Sequence, residues 1–468
     1  MGLFDSLNVG LSGLRVHQFA LDVTGDNITN VATPGFSRRR VALSAATPMN
    51  LFPVGQLGRG VAAGPAEAIR SRFLEVRHRL EASVAEGDKA RYELLAGVEA
   101  AFSEDAGFGF RQELDALFAA FSELAIRPES GVHRDEVLNR AQVLIDQMQS
   151  AYRQMDDIAR EIDRDLVGIV GQVNEKLERI AELNEEIRRN EVIGPANAER
   201  DERERVLLEL SELIEVASYE NEDGTITVTL RDGSPLVVAD QVNALSASPL
   251  APGAPVSIVL GSTDVTGLVG SGRVGGMLQV RDQDLPAFRL SIDTVAFEIS
   301  QQFNAVHQAG FALDGVTSGL DFFVPFVPVT PGDPTGATMA MAIDPTVSGD
   351  PNLIAAAGAP ASAGDGDQAQ AIADLSQALV LNGGTATFSQ FYAGFVFDVG
   401  STVDRARAEA DASAAVAAHV EAQKLSVSAV SLDEEAVALI QYQRGYQASA
   451  RFIQAVDELT RIVMTIGA

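Results

Sequence analysis

Ser431-Leu-Asp-Glu-Glu-Ala-Val-Ala-Leu-Ile-Gln-Tyr-Gln-Arg-Gly-Tyr-Gln-Ala-Ser-Ala-Arg-Phe-Ile453 decides how the rest of the chain is read. Apolar residues recur every seven positions at Leu432, Leu439, Tyr446 and Ile453, with Tyr442, Val456 and Val463 in the alternate row. The first thirty residues carry the same spacing at Leu7, Leu14, Leu21 and Ile28. Rows of this period make one side of a helix adhesive along its length, so the two ends are expected to pack as a helical pair. Ser431 with Glu434 three residues on is a capping box that fixes the start of the last helix. Asp433, Glu434 and Glu435 then read as first-turn acids favoured by the helix dipole rather than as catalytic carboxylates.

Outward from these ends, a first helix is expected over residues 3–23. Gly10 and Gly13 lie inside it, each costing ~1 kcal/mol relative to Ala, so the segment should be poorly helical by itself. Thr33-Pro34-Gly35-Phe36 has Pro and Gly at the two central positions of a type II turn. Gly- and Pro-containing sequence to Pro65 suits a loop or short strands, and helical spacing resumes from Glu67. Further helices are predicted over 110–126, 133–192, 198–216 and 286–308, the second bounded by Gly194-Pro195. The 133–192 row steps through Met148, Tyr152, Met155, Ala159, Ile162, Leu166, Ile169 and Val173 in alternating fours and threes, then takes a second four to Leu177 before Ile180 and Ile187. That extra four is a stutter, which predicts long packed helices with a local unwinding rather than a uniform coiled coil.

Alternating β-branched residues in Thr225-Ile-Thr-Val-Thr-Leu230, set between Asp223-Gly224 and Asp232-Gly233, predict hairpins. Gly270-Ser-Gly-Arg-Val-Gly275 matches a dinucleotide fingerprint only in its text, since no βαβ unit surrounds it; a re-entry into the helical part is the better reading. Residues 311–365 read as loop with short strands, and 402–424 as another helix. The expected fold is mainly α with an inserted small β domain. Residues 1–40 and 430–468 would form a terminal helical coiled-coil pair, 41–215 and 271–429 a long-helix bundle, and 216–270 the β-rich insert.

Composition removes several function classes. Thirty-five basic against 65 acidic residues give a formal charge of −30, which disfavours a nucleic-acid partner. Cysteine is absent, and with it thiolate catalysis and Cys-based metal sites. The five histidines share no metal-binding spacing, and no serine sits in a nucleophile elbow. No apolar run is long enough for a membrane span, and Asp5, Asn8, Arg15 and His17 interrupt what would be a secretory h-region. No catalytic, cofactor or metal residues are therefore expected.

Leu21-Asp-Val-Thr-Gly-Asp-Asn-Ile-Thr-Asn-Val-Ala-Thr-Pro-Gly-Phe-Ser-Arg38 resembles the N-terminal signature of bacterial flagellar axial proteins, the rod, hook and hook-associated family. Its Thr-Pro-Gly-Phe-Ser-Arg wording and the Ser431–Ile453 stretch are most similar to the hook-associated protein 1 branch, the first hook–filament junction proteins. Leu183-Asn-Glu-Glu-Ile and Gly275-Gly-Met-Leu-Gln-Val-Arg-Asp add internal similarity, whereas Ala198-Glu-Arg-Asp-Glu-Arg-Glu204 departs from the family's usual text. The resemblance implies a structural, non-enzymatic subunit of the flagellum at the hook–filament junction, without cofactor. It implies a ring of copies, with the hook subunit below, the second hook-associated protein above, and a cytoplasmic export chaperone on the C-terminal helix. It also implies extracellular localisation by type III export without a cleaved signal peptide. Leu7, Leu14, Leu21, Ile28, Leu439, Tyr442, Tyr446, Ile453 and Val456 are the expected subunit-packing residues. The alternatives are another axial subunit, from the hook or distal rod, and a cytoplasmic coiled-coil scaffold.

Overall fold

The computed structural model describes residues 3–51, 55–102, 109–192 and 194–466. Helix α1 (Leu3–Thr29) leads into strands β1 (Arg39–Ala45), β2 (Met49–Leu51), β3 (Gly55–Leu57) and β4 (Val61–Ala68). Helices α2 (Arg72–Phe102), α3 (Phe110–Ile126), α4 (Gly131–Asn190) and α5 (Asn197–Leu213) follow. A run of short strands comes next: β5 (Ala217–Glu220), β6 (Ile226–Thr229), β7 (Pro235–Val238), β8 (Gln241–Val242), β9 (Leu245–Pro249), β10 (Val256–Leu260) and β11 (Thr263–Asp264). Helices α6 (Gly272–Gln279) and α7 (Leu285–Gln308), the short α8 (Ala337–Ala340), α9 (Pro345–Gly349) and α10 (Asp367–Asp374), and the long α11 (Phe388–Ser428) and α12 (Leu432–Ile466) complete the chain. The protein is mainly helical with small antiparallel sheets, as the periodicities predict.

Two compact units are present. One comprises Met1–Glu86, Ile169–Gly272 and Ala412–Ala468, the other Gly87–Gly168 and Arg273–Asp411. In the first unit β1 pairs with β4, β5-β6-β7-β8 form an antiparallel meander, and β9-β10-β11 form a second. Helix α4 holds both meanders through asparagines that imitate a strand. Asn184 accepts from Ile226 N–H and donates to Ile226 C=O, both at 2.9 Å, and Asn174 treats Leu245 the same way at 2.9 and 2.8 Å. These amides satisfy backbone groups that burial would otherwise leave unpaired.

The second unit is built on aromatic packing. Phe121 and Phe303 stack edge-on at 5.8 Å, and Phe322 and Phe323 at 4.8 Å, with Phe118 and Phe388 beside them. The stretch expected as loop over 311–365 is held from within by helix side chains. Asn304 of α7 accepts from Phe322 and Phe323 N–H, and Asp293 accepts from Gly336 and Thr338 N–H at 2.8 and 2.9 Å. Arg134, only 1% exposed, donates to the Pro128 carbonyl and to Ile354 O at 2.7 Å. His307 is fully buried; with Nδ1 donating to Leu320 O at 2.7 Å, Nε2 accepts from Ala355 N–H at 2.9 Å.

One expectation is corrected. Helix α1 runs to Thr29 rather than to residue 23, because Asp26 and Asn27 are engaged by Arg39 of β1 and the last turn is stabilised by tertiary bonds. Helix α4 is uninterrupted over 60 residues. An irregular turn lies at Val280–Asp284, a π-turn between α6 and α7 from which Arg281 reaches Asp163 at 2.6 Å. Gly276 of the preceding helix is a close-approach residue, since a Cβ there would stand 2.0 Å from Gly87 O.

Candidate assembly interface

The two terminal helices pack on each other antiparallel. Gly10 faces Ile453, Gly13 faces Ser449, His17 faces Gly445, and Asn27 meets Glu435. The buried row on α1 is Gly10, Gly13, Val16, Ala20, Thr24 and Asn27, a line of mostly small residues. Small side chains let the backbones approach closely: a Cβ on Gly10 would lie 2.6 Å from Ile453 Cγ1, and one on Gly445 2.6 Å from the His17 ring. The glycines that weaken α1 as an isolated helix are therefore the surface on which α12 seats.

The predicted packing residues sit on and beside this contact. Val456 is buried, and Ile453 touches Gly10. Tyr442 is half-buried, its ring 6.4 Å from that of His17. Leu7, Leu14, Leu21, Ile28 and Leu439 are half-buried along the flanks, and Tyr446 remains 37% exposed. Away from α1, α12 leaves Val437, Ile440 and Ile462 exposed, and Phe452, beside Gly10, and Leu459 are exposed along the edge of the contact.

A polar clamp, invisible to periodicity, closes the pair where α1 ends and α12 begins. Glu435, 2% exposed, accepts from Arg38 Nε at 2.7 Å and from Asn27 Nδ2 at 3.1 Å. Asn27 is itself fixed by Arg39, whose N–H and C=O it pairs at 2.9 and 2.8 Å. Glu434 bonds the Arg38 guanidinium instead of turning back to the Ser431 N–H, so only half of the expected capping box forms: Ser431 Oγ accepts from Glu434 N–H at 3.5 Å. Burial works against the Arg38 charge, but the hydrogen bonds to Glu434 and Glu435 outweigh it and raise its pKa. The Thr33–Phe36 turn adopts the predicted type II form, with Gly35 at φ +80° and Phe36 N–H donating to Thr33 O at 3.2 Å.

Behind the clamp, the charge-dense start of α5 becomes an ion-pair hub. Asp201 is reached by Arg70 and Arg39, Glu204 by Arg79, and Glu220 by Arg72, Arg200 and Arg203. Arg203 is buried and donates to Asn184 Oδ1 and Gly224 O; desolvation lowers its pKa to about 10, leaving it charged at neutral pH. Among the described residues no cluster of three or more His, Cys, Asp or Glu has metal-holding geometry, and no helix is long and apolar enough to cross a membrane.

Comparison with known proteins follows the same lines. The family model described as flagellar hook-associated protein FlgK helical domain matches residues 95–323, and that of the flagellar basal body rod FlgEFG protein C-terminal matches 421–466. Flagellar hook-associated protein 1 of Salmonella typhimurium is 24% identical over 552 residues, covering 98% of this chain and 99% of that one. Its counterpart from Bacillus subtilis is 25% identical and covers 97% of each. The solved flagellar hook junction protein FlgK from Burkholderia pseudomallei shares the fold at a TM-score of 0.68 and 16% identity, over 75% of this chain and all of that one.

Proposed function

This chain belongs to the family of flagellar hook-associated protein 1, a structural component of the hook–filament junction, and on that premise we propose how it assembles there. Copies form a ring through the terminal segments 1–40 and 430–468, with the hook subunit below and the second hook-associated protein above. Leu7, Leu14, Leu21, Ile28, Leu439, Tyr442, Tyr446, Ile453 and Val456 supply the packing between and within subunits. Before assembly a cytoplasmic chaperone covers α12, and the chain leaves through the flagellar type III apparatus without cleavage. It turns over no substrate.

The observation that carries this reading is α12 itself. One face is seated on α1, while Val437, Ile440, Leu459 and Ile462 remain exposed outside that contact. Exposed apolar residues of this kind, near both ends of the helix, support an interaction surface. Immunogold labelling of sheared filaments with hooks attached tests the placement. Label confined to a band between hook and filament is expected; label along the whole hook, or protein found only in the cytoplasm, overturns it.

A further inference from the structure

We propose that Asn382 is a site of self-modification, at which the chain's own backbone converts the side-chain amide to a carboxylate. Asn382 is the only asparagine of the sequence that precedes a glycine. It is exposed, at φ +50°, and with Gly383 at φ +67° it forms the centre of a tight turn closed by Gly384 N–H donating to Leu381 O at 3.0 Å. Thr385 and Ala386 N–H converge on the same carbonyl, so the base of the loop is fastened while its tip stands clear. Thr385 Oγ1 engages the Asn382 backbone carbonyl at 2.9 Å. Among the described residues neither the Asn382 side-chain amide nor Gly383 N–H has a hydrogen-bond partner, and nothing lies within 4 Å of where a Cβ on Gly383 would stand. The electrophile and the nitrogen that can attack it are therefore adjacent, unheld and unshielded.

The other candidates are held. Asn27, Asn184 and Asn304 are buried, and each uses both ends of its amide on backbone groups. Asp223, Asp232 and Asp314 also precede glycine, but their carboxylates accept from Thr225, Ser234 and Val316 N–H. At Asn382 the step runs as follows. Hydroxide takes the proton of Gly383 N–H, and the nitrogen attacks Asn382 Cγ. The new N–Cγ bond closes a succinimide, the bond from Cγ to the side-chain nitrogen breaks, and ammonia leaves. Water then opens the ring at Cγ, giving aspartate, or at the Asn382 backbone carbonyl carbon, giving isoaspartate with the chain routed through the side-chain methylene. One water enters and one ammonia departs, so no oxidant, reductant or cofactor is needed. Either product places a new negative charge at the tip, and isoaspartate lengthens the turn that Leu381 O fastens.

The test is peptide mass spectrometry of the purified full chain, held folded at pH 6 and pH 9 over a time course, beside an unstructured synthetic peptide of residues 378–388. Expected is a growing fraction of the Asn382 peptide heavier by the exchange of NH for O, faster at pH 9, in two chromatographic forms. One of these should accept a labelled methyl group from protein isoaspartyl methyltransferase. Asn382→Gln should stay unconverted, and Gly383→Ala should convert about tenfold more slowly, since its methyl shields the attacking nitrogen. Thermal melting of both variants guards against a distorted loop, because position 383 requires positive φ. A folded chain that stays unmodified while the free peptide converts overturns the proposal, because the turn then blocks the attack. Conversion at other asparagines at the same rate overturns the selection of Asn382. Aspartate formed without isoaspartate, or equal rates in Gly383→Ala and the parent, overturns attack by the Gly383 nitrogen.

Discussion

Replacing Glu435 by Ala removes the centre of the clamp. Two bonds are lost, from Arg38 Nε at 2.7 Å and Asn27 Nδ2 at 3.1 Å, each involving an ionised group. Hydrogen bonds to charged groups are worth ~1.5–3 kcal/mol each, and here both partners keep a second acceptor, Glu434 for Arg38 and Arg39 O for Asn27. The net cost to seating α12 on α1 should therefore be about 3 kcal/mol, roughly a hundredfold in the opening equilibrium. Glu434→Ala is the control: its side chain is 64% exposed, so its bond to Arg38 is screened and worth under ~1 kcal/mol. Hydrogen exchange followed by mass spectrometry, on peptides covering the end of α1 and the first turns of α12, reads the opening directly. Glu435→Ala should exchange roughly a hundredfold faster there, Glu435→Gln should fall between, and Glu434→Ala should stay within about fivefold of the parent. Equal exchange in the Glu434 and Glu435 variants would refute the clamp as the fastening of the terminal pair.

His307 gives the second unit an acid limit. Burial lowers its pKa, so its contribution is fully present above the unfolded value of ~6.5 and is lost as pH falls from there toward the folded pKa, by up to ~1.4 kcal/mol per pH unit. Urea midpoints of the parent should drop between pH 7 and pH 5 more steeply than those of His307→Gln; parallel slopes would show that the buried ring does not govern this window. Arg134→Met strips donors from the Pro128 and Ile354 carbonyls and should lower stability by about 3 kcal/mol in chemical denaturation, with Arg134→Lys restoring little because one ammonium does not reach both sites. Gly276→Ala gains ~1 kcal/mol of helix propensity yet drives a Cβ against Gly87 O, and the melting temperature should fall, reflecting a net loss of ~1–2 kcal/mol.

Local signals were the legible ones. The apolar row of α4 is buried at Met148, Met155, Ile162, Leu166, Ile169, Val173, Leu177, Ile180 and Ile187, and α3 spans the predicted 110–126. Turn chemistry at Gly35, Gly224 and Gly233 placed the type II turn and the hairpins, with all three residues at positive φ. What escaped depends on partners far away in the chain. Asn27 and Glu435 are separated by 408 positions, and Glu435 reads locally as one more first-turn acid. Gly10, Gly13 and Gly445 read as helix weakeners because a single helix says nothing about what approaches it. The asparagines that hold strands and loops, Asn174, Asn184 and Asn304, have no periodic signature at all, and neither does the buried Arg134.

Addition of the purified chain to isolated hook ends tests the central claim most directly. The account predicts that the parent caps the hooks in a saturable manner and supports filament growth. Tyr446→Asp and Leu439→Asp, which place an unpaired charge in the packing surface, should fail at both steps while hydrogen-exchange protection of Phe303 and Phe322 in the second unit stays that of the parent. Asp variants that cap hooks and sustain growth as well as the parent would contradict the terminal helices as the assembly surface.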